Sequence, residues 1–256
     1  MTRAGLILGV AVCLFAVGGS AQELPTEVPI LLIPGWFDTE RDLAALRIRL
    51  ISAGWPTEYV EPLTFADPTG SNVDHAAEIG AAVELLRSRT GAPKVDLVAH
   101  SMGGLAVRQY LMDVGPRRVR KVVFVATPHR GTYTAYVAFG EGRDEMIPGS
   151  PFLETLNAAP AVPEGIPAIT IRSPMDTIIL PSESATLPGI EDHQLCCPTH
   201  AGLLRSLEVF RVIRRFLAEG SGGGPELRGK LSAKAPVGGL GTGLPGRVTL
   251  APHIIS

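Results

Sequence analysis

A serine lies where a predicted strand ends and a predicted helix begins. The segment Ala99–Gly103 reads AHSMG and follows the apolar run VDLV. A sharp turn there would lift the Ser101 hydroxyl out of a sheet, and it needs small residues at Ala99 and Gly103 because strand and helix approach closely. The N-terminus of the next helix supplies positive partial charge and unpaired N–H groups. The pattern predicts a nucleophilic serine; the alternative is an ordinary serine that caps a helix.

Strand-like and helix-like segments alternate around this motif. Apolar runs typical of strands lie at residues 28–33, 59–63, 94–99, 120–126 and 168–171. Apolar residues at helical spacing lie at residues 41–52, 76–86, 102–112 and 203–217. Ser71 and Asp74 have the types and spacing of a capping box in front of the second helix. The alternation predicts an α/β fold with a mainly parallel central sheet flanked by helices.

Two further segments accompany the serine motif VAHSMGG at 98–104: LLIPGW at 31–36 and VATPHRGT at 125–132. Together the three resemble the α/β-hydrolase superfamily, specifically small bacterial lipases and esterases. Pro34 and Ala99 depart from the common pattern, but neither is a reacting group. The resemblance covers about residues 28–217 and, since the chain begins near the family's third strand, implies a minimal α/β-hydrolase fold that lacks the first two strands.

The resemblance also implies a function and an order of catalytic residues. The function is hydrolysis of carboxylic esters, with lipid acyl esters as the expected substrates, through an acyl-enzyme on Ser101. The order is serine, acid, histidine. The expected acid is Asp176, which follows the 168–171 strand. The competing acids are Glu183, Glu191 and Asp192, of which the last is expected in a solvated loop.

Among the histidines, the resemblance implies His200 as the base, because it directly precedes the last amphipathic helix. His193 is the alternative. His129 follows the predicted strand 120–126, too early in the family's order, and is expected in a loop or the substrate pocket. His100 adjoins the nucleophile, but its side chain is expected to point away from Ser101.

A tetrahedral oxyanion needs preorganised N–H donors. The backbone N–H of Met102 is one expected donor and that of Trp36 the other, with Phe37 as the fallback for the second. The aromatic-rich segment 131–163 indicates a substrate pocket or short lid, or else a local mini-core. The residues expected to line the substrate pocket are Phe37, His100, Tyr133 and Tyr136.

The N-terminal residues 1–21 have the layout of a signal peptide, with a basic start, an apolar run and small residues up to Ala21. The alternatives are a buried helix or a membrane anchor. Cleavage would yield a secreted or periplasmic protein in an oxidising compartment. Cys196 and Cys197 would then be its only cysteines. We expect them to form a vicinal disulfide that helps to hold the His200 loop; the alternative is two buried thiols.

Composition limits the remaining possibilities. The 256 residues are 45% hydrophobic and 19% charged, with net charge −2. These values predict one folded domain, residues 24–218, and give no electrostatic case for binding nucleic acid. Residues 219–256, rich in Gly and Pro and without periodicity, are predicted to be a flexible tail.

No motif for a metal or a nucleotide is recognised, and the implied mechanism needs no cofactor. The expected partner is a small-molecule or lipid ester, with transient contact to a lipid interface; the sequence does not indicate an oligomeric state. A thioesterase or an acyltransferase would use the same three residues. A non-catalytic binding protein of this fold is disfavoured because all three residues are present in order.

Overall fold

The structure, a computed structural model, describes residues 28–114 and 117–219, which belong to one compact unit. Its strands are β1 Ile30–Ile33, β2 Val60–Pro62, β3 Val95–His100, β4 Val119–Val125, β5 Ala168–Arg172 and β6 Glu191–Gln194. Its α-helices are α1 Glu40–Ser52, α2 Asn72–Thr90, α3 Gly103–Val114, α4 Glu141–Met146, α5 Pro151–Ala158, α6 His200–Leu203 and α7 Leu207–Ala218. The predicted signal segment and the predicted tail beyond Glu219 lie outside the described residues.

The strands form one sheet in the order β2-β1-β3-β4-β5-β6, and every neighbouring pair is parallel. The chain moves outward from β1 to β2 and then crosses back to β3 on the other side of β1. Such a reversal opens a crevice at the carboxyl ends of the two strands, which is where open parallel sheets bind ligands. The predicted nucleophile follows β3 at this point.

Both faces of the sheet are covered, which explains why the strands read as continuous apolar runs. On one face, Leu32 of β1 packs with apolar residues of α1 and α7; on the other, Leu31 packs with α2 and α3. All four residues of β1 are buried. The predicted α/β architecture with a mainly parallel sheet is therefore confirmed.

One strand was not predicted. The sequence of β6, EDHQ, has no apolar period because it is a polar strand at the edge of the sheet. Its Asp192 carboxylate accepts hydrogen bonds from Thr170 Oγ1 at 2.9 Å and Arg172 Nε at 2.8 Å. The expectation of a solvated loop at Asp192 was wrong, since strand pairing places the carboxylate beside these donors.

Two helix starts also differ from the predictions. Ser71 caps α2 by accepting from the Val73 N–H, but the carboxylate that completes this cap is Glu145 of α4, which binds Ser71 Oγ and the Asn72 N–H at 2.6 Å each. The predicted box with Asp74 was wrong because a long-range contact supplies the acid. The last helix begins after the cap Ser206, so that residue 203 belongs to the separate helix α6.

Within the described residues, no helix has the length and apolar character needed to cross a membrane.

Candidate active site

The turn after β3 holds Ser101 in a conformation that few non-glycine residues adopt. Its φ is 51°, in the left-handed region, while its N–H still donates to the Val125 carbonyl at 2.8 Å. The residue therefore ends the strand pairing and at once reverses the chain into α3. A Cβ at Gly103 would lie 2.1 Å from the Pro34 oxygen, so only glycine fits that position. Local strain of this kind is typical of functional sites.

The structure brings Asp176 and His200 together. Asp176 lies in the loop after β5, and its Oδ1 accepts from the N–H groups of Ile178 at 2.8 Å and Ile179 at 3.0 Å. Its Oδ2 pairs with His200 Nδ1 at 2.7 Å. An ionised carboxylate only accepts, so Nδ1 carries the proton and Nε2 keeps a free lone pair. His200 is the first residue of α6, whose cap Thr199 accepts from the Gly202 N–H.

The surroundings suit these two residues to a base and its partner. Burial would raise the pKa of Asp176, but the hydrogen bonds from His200 and the two backbone N–H groups outweigh it, and the net pKa is lowered. Burial lowers the pKa of His200; Asp176 opposes this, and nearby His100 adds to it. At neutral pH, Asp176 is therefore ionised and His200 is mostly neutral and able to accept a proton.

Ser101 and His200 open into one cavity of about 330 Å³ at the sheet reversal. Its lining residues are Trp36, Asp38, Ser101, Thr132, Thr134, Ala135, Val137, Ala138, Met146, Ile178, Ile179 and His200. Among the described residues the Ser101 hydroxyl has no hydrogen-bond partner. A hydrogen bond from a nucleophile to its base commonly tightens only when substrate binds.

The two expected oxyanion donors flank the serine. Within the described part of the chain, neither the Trp36 N–H nor the Met102 N–H donates a hydrogen bond. Neither donor is therefore used within the fold. The Phe37 N–H donates to the Pro68 carbonyl at 3.0 Å. The fallback donor Phe37 is thus already used.

None of the four residues expected in the substrate pocket lines this cavity. Tyr133 and Tyr136 lie on a 3₁₀ helix, Tyr133–Val137, that turns their rings to solvent. On the same helix, buried Ala135 and exposed Val137 line the cavity. Phe37 is also exposed, whereas His100 is buried and is not among the residues that line the cavity. The segment 131–163 does contribute to the cavity wall, but the sequence did not predict which of its side chains face the cavity.

The other histidines lie elsewhere. His193 is on β6 with its Nε2 at 3.3 Å from Glu191. His129 is completely buried, with its ring edge-on to Phe124 at 4.9 Å, and it borders a different cavity beside Arg108. Burial holds the pKa of His129 well below its ordinary value.

The sequence did not point to Asp38. Its Oδ2 accepts from His100 Nδ1 at 2.9 Å and from the Gly35 N–H at 3.2 Å, and the residue lines the cavity. In sequence, Asp38 follows a predicted turn, where acidic residues are common for conformational reasons. The available signal in the sequence was its position two residues after the motif that ends at Trp36.

Cys196 and Cys197 are paired with each other across a cis peptide bond and are solvent-exposed. The exposure of both side chains does not fit the alternative of two buried thiols, and the expected vicinal disulfide stays a prediction. Among residues 28–114 and 117–219, no group of three or more His, Cys, Asp or Glu side chains could hold a metal ion.

Comparison with known proteins relates this structure to a known fold. A family model described as the alpha/beta hydrolase fold matches residues 50–144. Among solved structures, lipase B of Aspergillus fumigatus aligns with a TM-score of 0.61 at 18% identity, covering 72% of this chain and 52% of that one. Lipase BlEst2 of Bacillus licheniformis aligns with a TM-score of 0.63 at 15% identity, covering 75% and 93%. At such identities the likeness shows the fold alone.

Curated relatives include triacylglycerol lipases of Pseudarthrobacter phenanthrenivorans and Burkholderia plantarii. Each is 31% identical over 121 residues, which is 42% of this chain and 35% or 31% of the relative. The matched stretch thus spans about a third of these relatives' length. The chain therefore has the α/β-hydrolase fold, and the family model and the curated relatives support its membership of that superfamily.

Proposed function

We propose that the chain hydrolyses carboxylic esters with Ser101 as nucleophile, His200 as general base and Asp176 as the residue that orients the base. The observation that carries the proposal is the His200–Asp176 pair, joined at 2.7 Å, opening onto the same cavity as the strained Ser101 turn. A nucleophile, a base and an orienting carboxylate in this relation are what acyl transfer requires.

The geometry supports the following reaction. Ser101 Oγ attacks the ester carbonyl carbon while its proton passes to His200 Nε2, and Asp176 stabilises the resulting imidazolium. The carbonyl oxygen becomes an oxyanion that accepts from the N–H groups of Trp36 and Met102. The C–O bond to the alcohol then breaks, and His200 returns the proton to the leaving oxygen. Water, deprotonated by His200, attacks the acyl-enzyme and releases the acid and free Ser101.

Lipid acyl esters are the substrate class that the cavity favours. Its wall is largely apolar, and exposed apolar side chains continue it to the surface, including Val137 and Ile178. Phe139 packs edge-on against the rings of Trp36 and Phe37 and is itself exposed. Contiguous exposed apolar side chains beside a cavity are typical of a site that meets an apolar ligand or a lipid surface. The names of the curated relatives agree with this proposal.

The decisive experiment is a chain-length series of p-nitrophenyl esters, from acetate to palmitate, given to the purified protein with Ser101→Ala as the control. We expect hydrolysis, and a loss on the order of 10⁴-fold or more in the folded variant. Wild-type rates in a folded Ser101→Ala protein would refute the assignment. Acyl thioesters and an added alcohol acceptor, tested in parallel, separate hydrolysis of esters from thioesterase and acyltransferase activity.

Export from the cytoplasm is a further part of the proposal. The basic start, apolar run and small residues at 1–21 support it, and an exposed disulfide fits an oxidising compartment. N-terminal sequencing of the protein recovered from periplasm or culture medium should begin at Gln22. Recovery of the intact N-terminus from the cytoplasm would contradict export.

A further inference from the structure

The carboxylate of Asp38 lies in the wall of the cavity and is distinct from that of Asp176, which pairs with His200. Asp38 follows β1, whereas Asp176 follows β5. Both carboxylates bond a histidine Nδ1: Asp176 bonds that of His200 at 2.7 Å, and Asp38 bonds that of His100 at 2.9 Å. The reaction proposed above uses the Asp176–His200 pair and gives no role to the Asp38–His100 pair.

Asp38 fixes the turn that carries one oxyanion donor. Its carboxylate accepts from the Gly35 N–H at 3.2 Å, and its own N–H donates to the Gly35 carbonyl at 3.2 Å. A Cβ on Gly35 would lie 2.7 Å from Ser101 Cβ, so this turn packs directly against the nucleophile. The turn also holds Trp36, whose N–H must be aimed at the developing oxyanion to be effective. A carboxylate that ties this turn down preorganises the donor.

His100 links Asp38 to the base. Its ring is buried, its centre lies 4.6 Å from that of His200, and among the described residues its Nε2 has no hydrogen-bond partner. Asp38 is therefore the ring's hydrogen-bonding anchor. The titratable groups that act on His200 are Asp176, His100 and Asp38, and the two carboxylates favour its protonated form while His100 opposes it.

From these contacts we propose that Asp38 is a positioning residue for the ester hydrolysis: it holds the Gly35–Trp36 turn against Ser101 and supplies a second negative charge near His200. The proposal rests on the function proposed above. The imidazolium that forms when His200 takes the Ser101 proton lies within the field of both carboxylates, which lowers the free energy of that charged state. The oxyanion donor is held by the same carboxylate, so one residue serves both developing charges.

Two substitutions at Asp38 separate these effects. Asp38→Asn keeps an oxygen that can accept from Gly35 and His100 but removes the charge. We expect the acid limb of kcat/KM to move to lower pH, by on the order of half a unit, because the imidazolium loses a stabilising charge. Asp38→Ala also releases the turn, and we expect kcat to fall by about 10- to 100-fold with little change in KM, since the oxyanion is bound only in the transition state.

The matched control is Asp42→Asn, which changes a nearby acid in the first turn of helix α1. Asp42 accepts from the Thr39 N–H at 3.0 Å and lies outside the cavity lining. This variant should lower the melting temperature and leave kcat and the acid limb unchanged. If Asp38→Ala loses no more activity than Asp42→Asn, and the acid limb of Asp38→Asn does not move, then Asp38 is merely structural and the proposal is overturned.

A measurement that does not depend on catalysis tests the role of Asp38 independently of the proposed function. A proton NMR titration of the His200 ring, assigned with His200→Gln, measures its pKa in the wild type and in Asp38→Asn. If the wild type hydrolyses no ester, the proposed function fails, yet the titration still decides whether Asp38 acts on His200. A lower His200 pKa in Asp38→Asn supports the coupling, and an unchanged value refutes it.

Discussion

At the scale of single residues, the choice between two nearby histidines is the sharpest test of the site. Only His200 contacts Asp176, whereas His193 on β6 contacts Glu191. His200→Ala should reduce ester hydrolysis by on the order of 10⁴-fold or more, because the serine loses its proton acceptor. His193→Ala, seven residues earlier, should keep substantial activity and is the matched control. Equal losses in two folded variants would contradict the assignment.

The pH dependence of kcat/KM is a second, independent test of His200 as the base. Burial is the main reason that the pKa of His200 lies below its ordinary value of about 6.5. His200 acts as a base only when neutral, so kcat/KM should fall as the pH drops through its pKa, with an acid-limb midpoint below about 6.5. The lowered pKa of Asp176 keeps that group ionised over this range. A midpoint above 7, measured on a soluble short-chain ester, would show that the environment raises the pKa instead.

At the scale of elements, the segment between β6 and α6 positions the proposed base His200. Cys196 and Cys197 occupy it, three residues before His200, and are joined to each other. We predict that mild reduction or a Cys196→Ser/Cys197→Ser double variant lowers kcat, because the loop before the base gains freedom. Intact-mass analysis of unreduced, alkylated protein checks the bond itself. Two thiols labelled in unreduced, denatured protein would rule it out, and unchanged kinetics in the double variant would show that packing alone holds the loop.

At the scale of the whole molecule, the stable unit should end with α7. Lys121 Nζ donates to the carbonyls of Phe216 and Glu219, so that these carbonyl groups at the C-terminal end of α7 have a hydrogen-bond donor. Deleting residues 220–256 should leave melting temperature and ester hydrolysis unchanged, because that sequence has no periodic apolar pattern. Deleting residues 216–256 is the control: it removes buried Leu217 and should cost about 2 kcal/mol or more. A large fall in melting temperature for the shorter deletion would show that the tail is structural.

The sequence by itself determined the local geometry. The turn at Ser101 could be predicted because its requirement is steric and local: small residues where a strand meets a helix. The alternation of apolar runs indicated the parallel sheet for the same reason, since strand and helix periods are properties of neighbouring residues. The residues paired as Asp176 and His200 were named by resemblance to a family, and their spacing alone would have left several acids open.

Only the tertiary structure decided which distant groups meet. Asp38 and His100 are 62 residues apart and touch because β1 and β3 are neighbours in the sheet, a consequence of strand order that no local pattern encodes. The outward rings of Tyr133 and Tyr136 depend on how a 3₁₀ turn is rotated against its surroundings. The polar edge strand β6 exists because β5 offers it hydrogen bonds. Spacing fixes the elements, while the contacts between them follow from packing the whole chain.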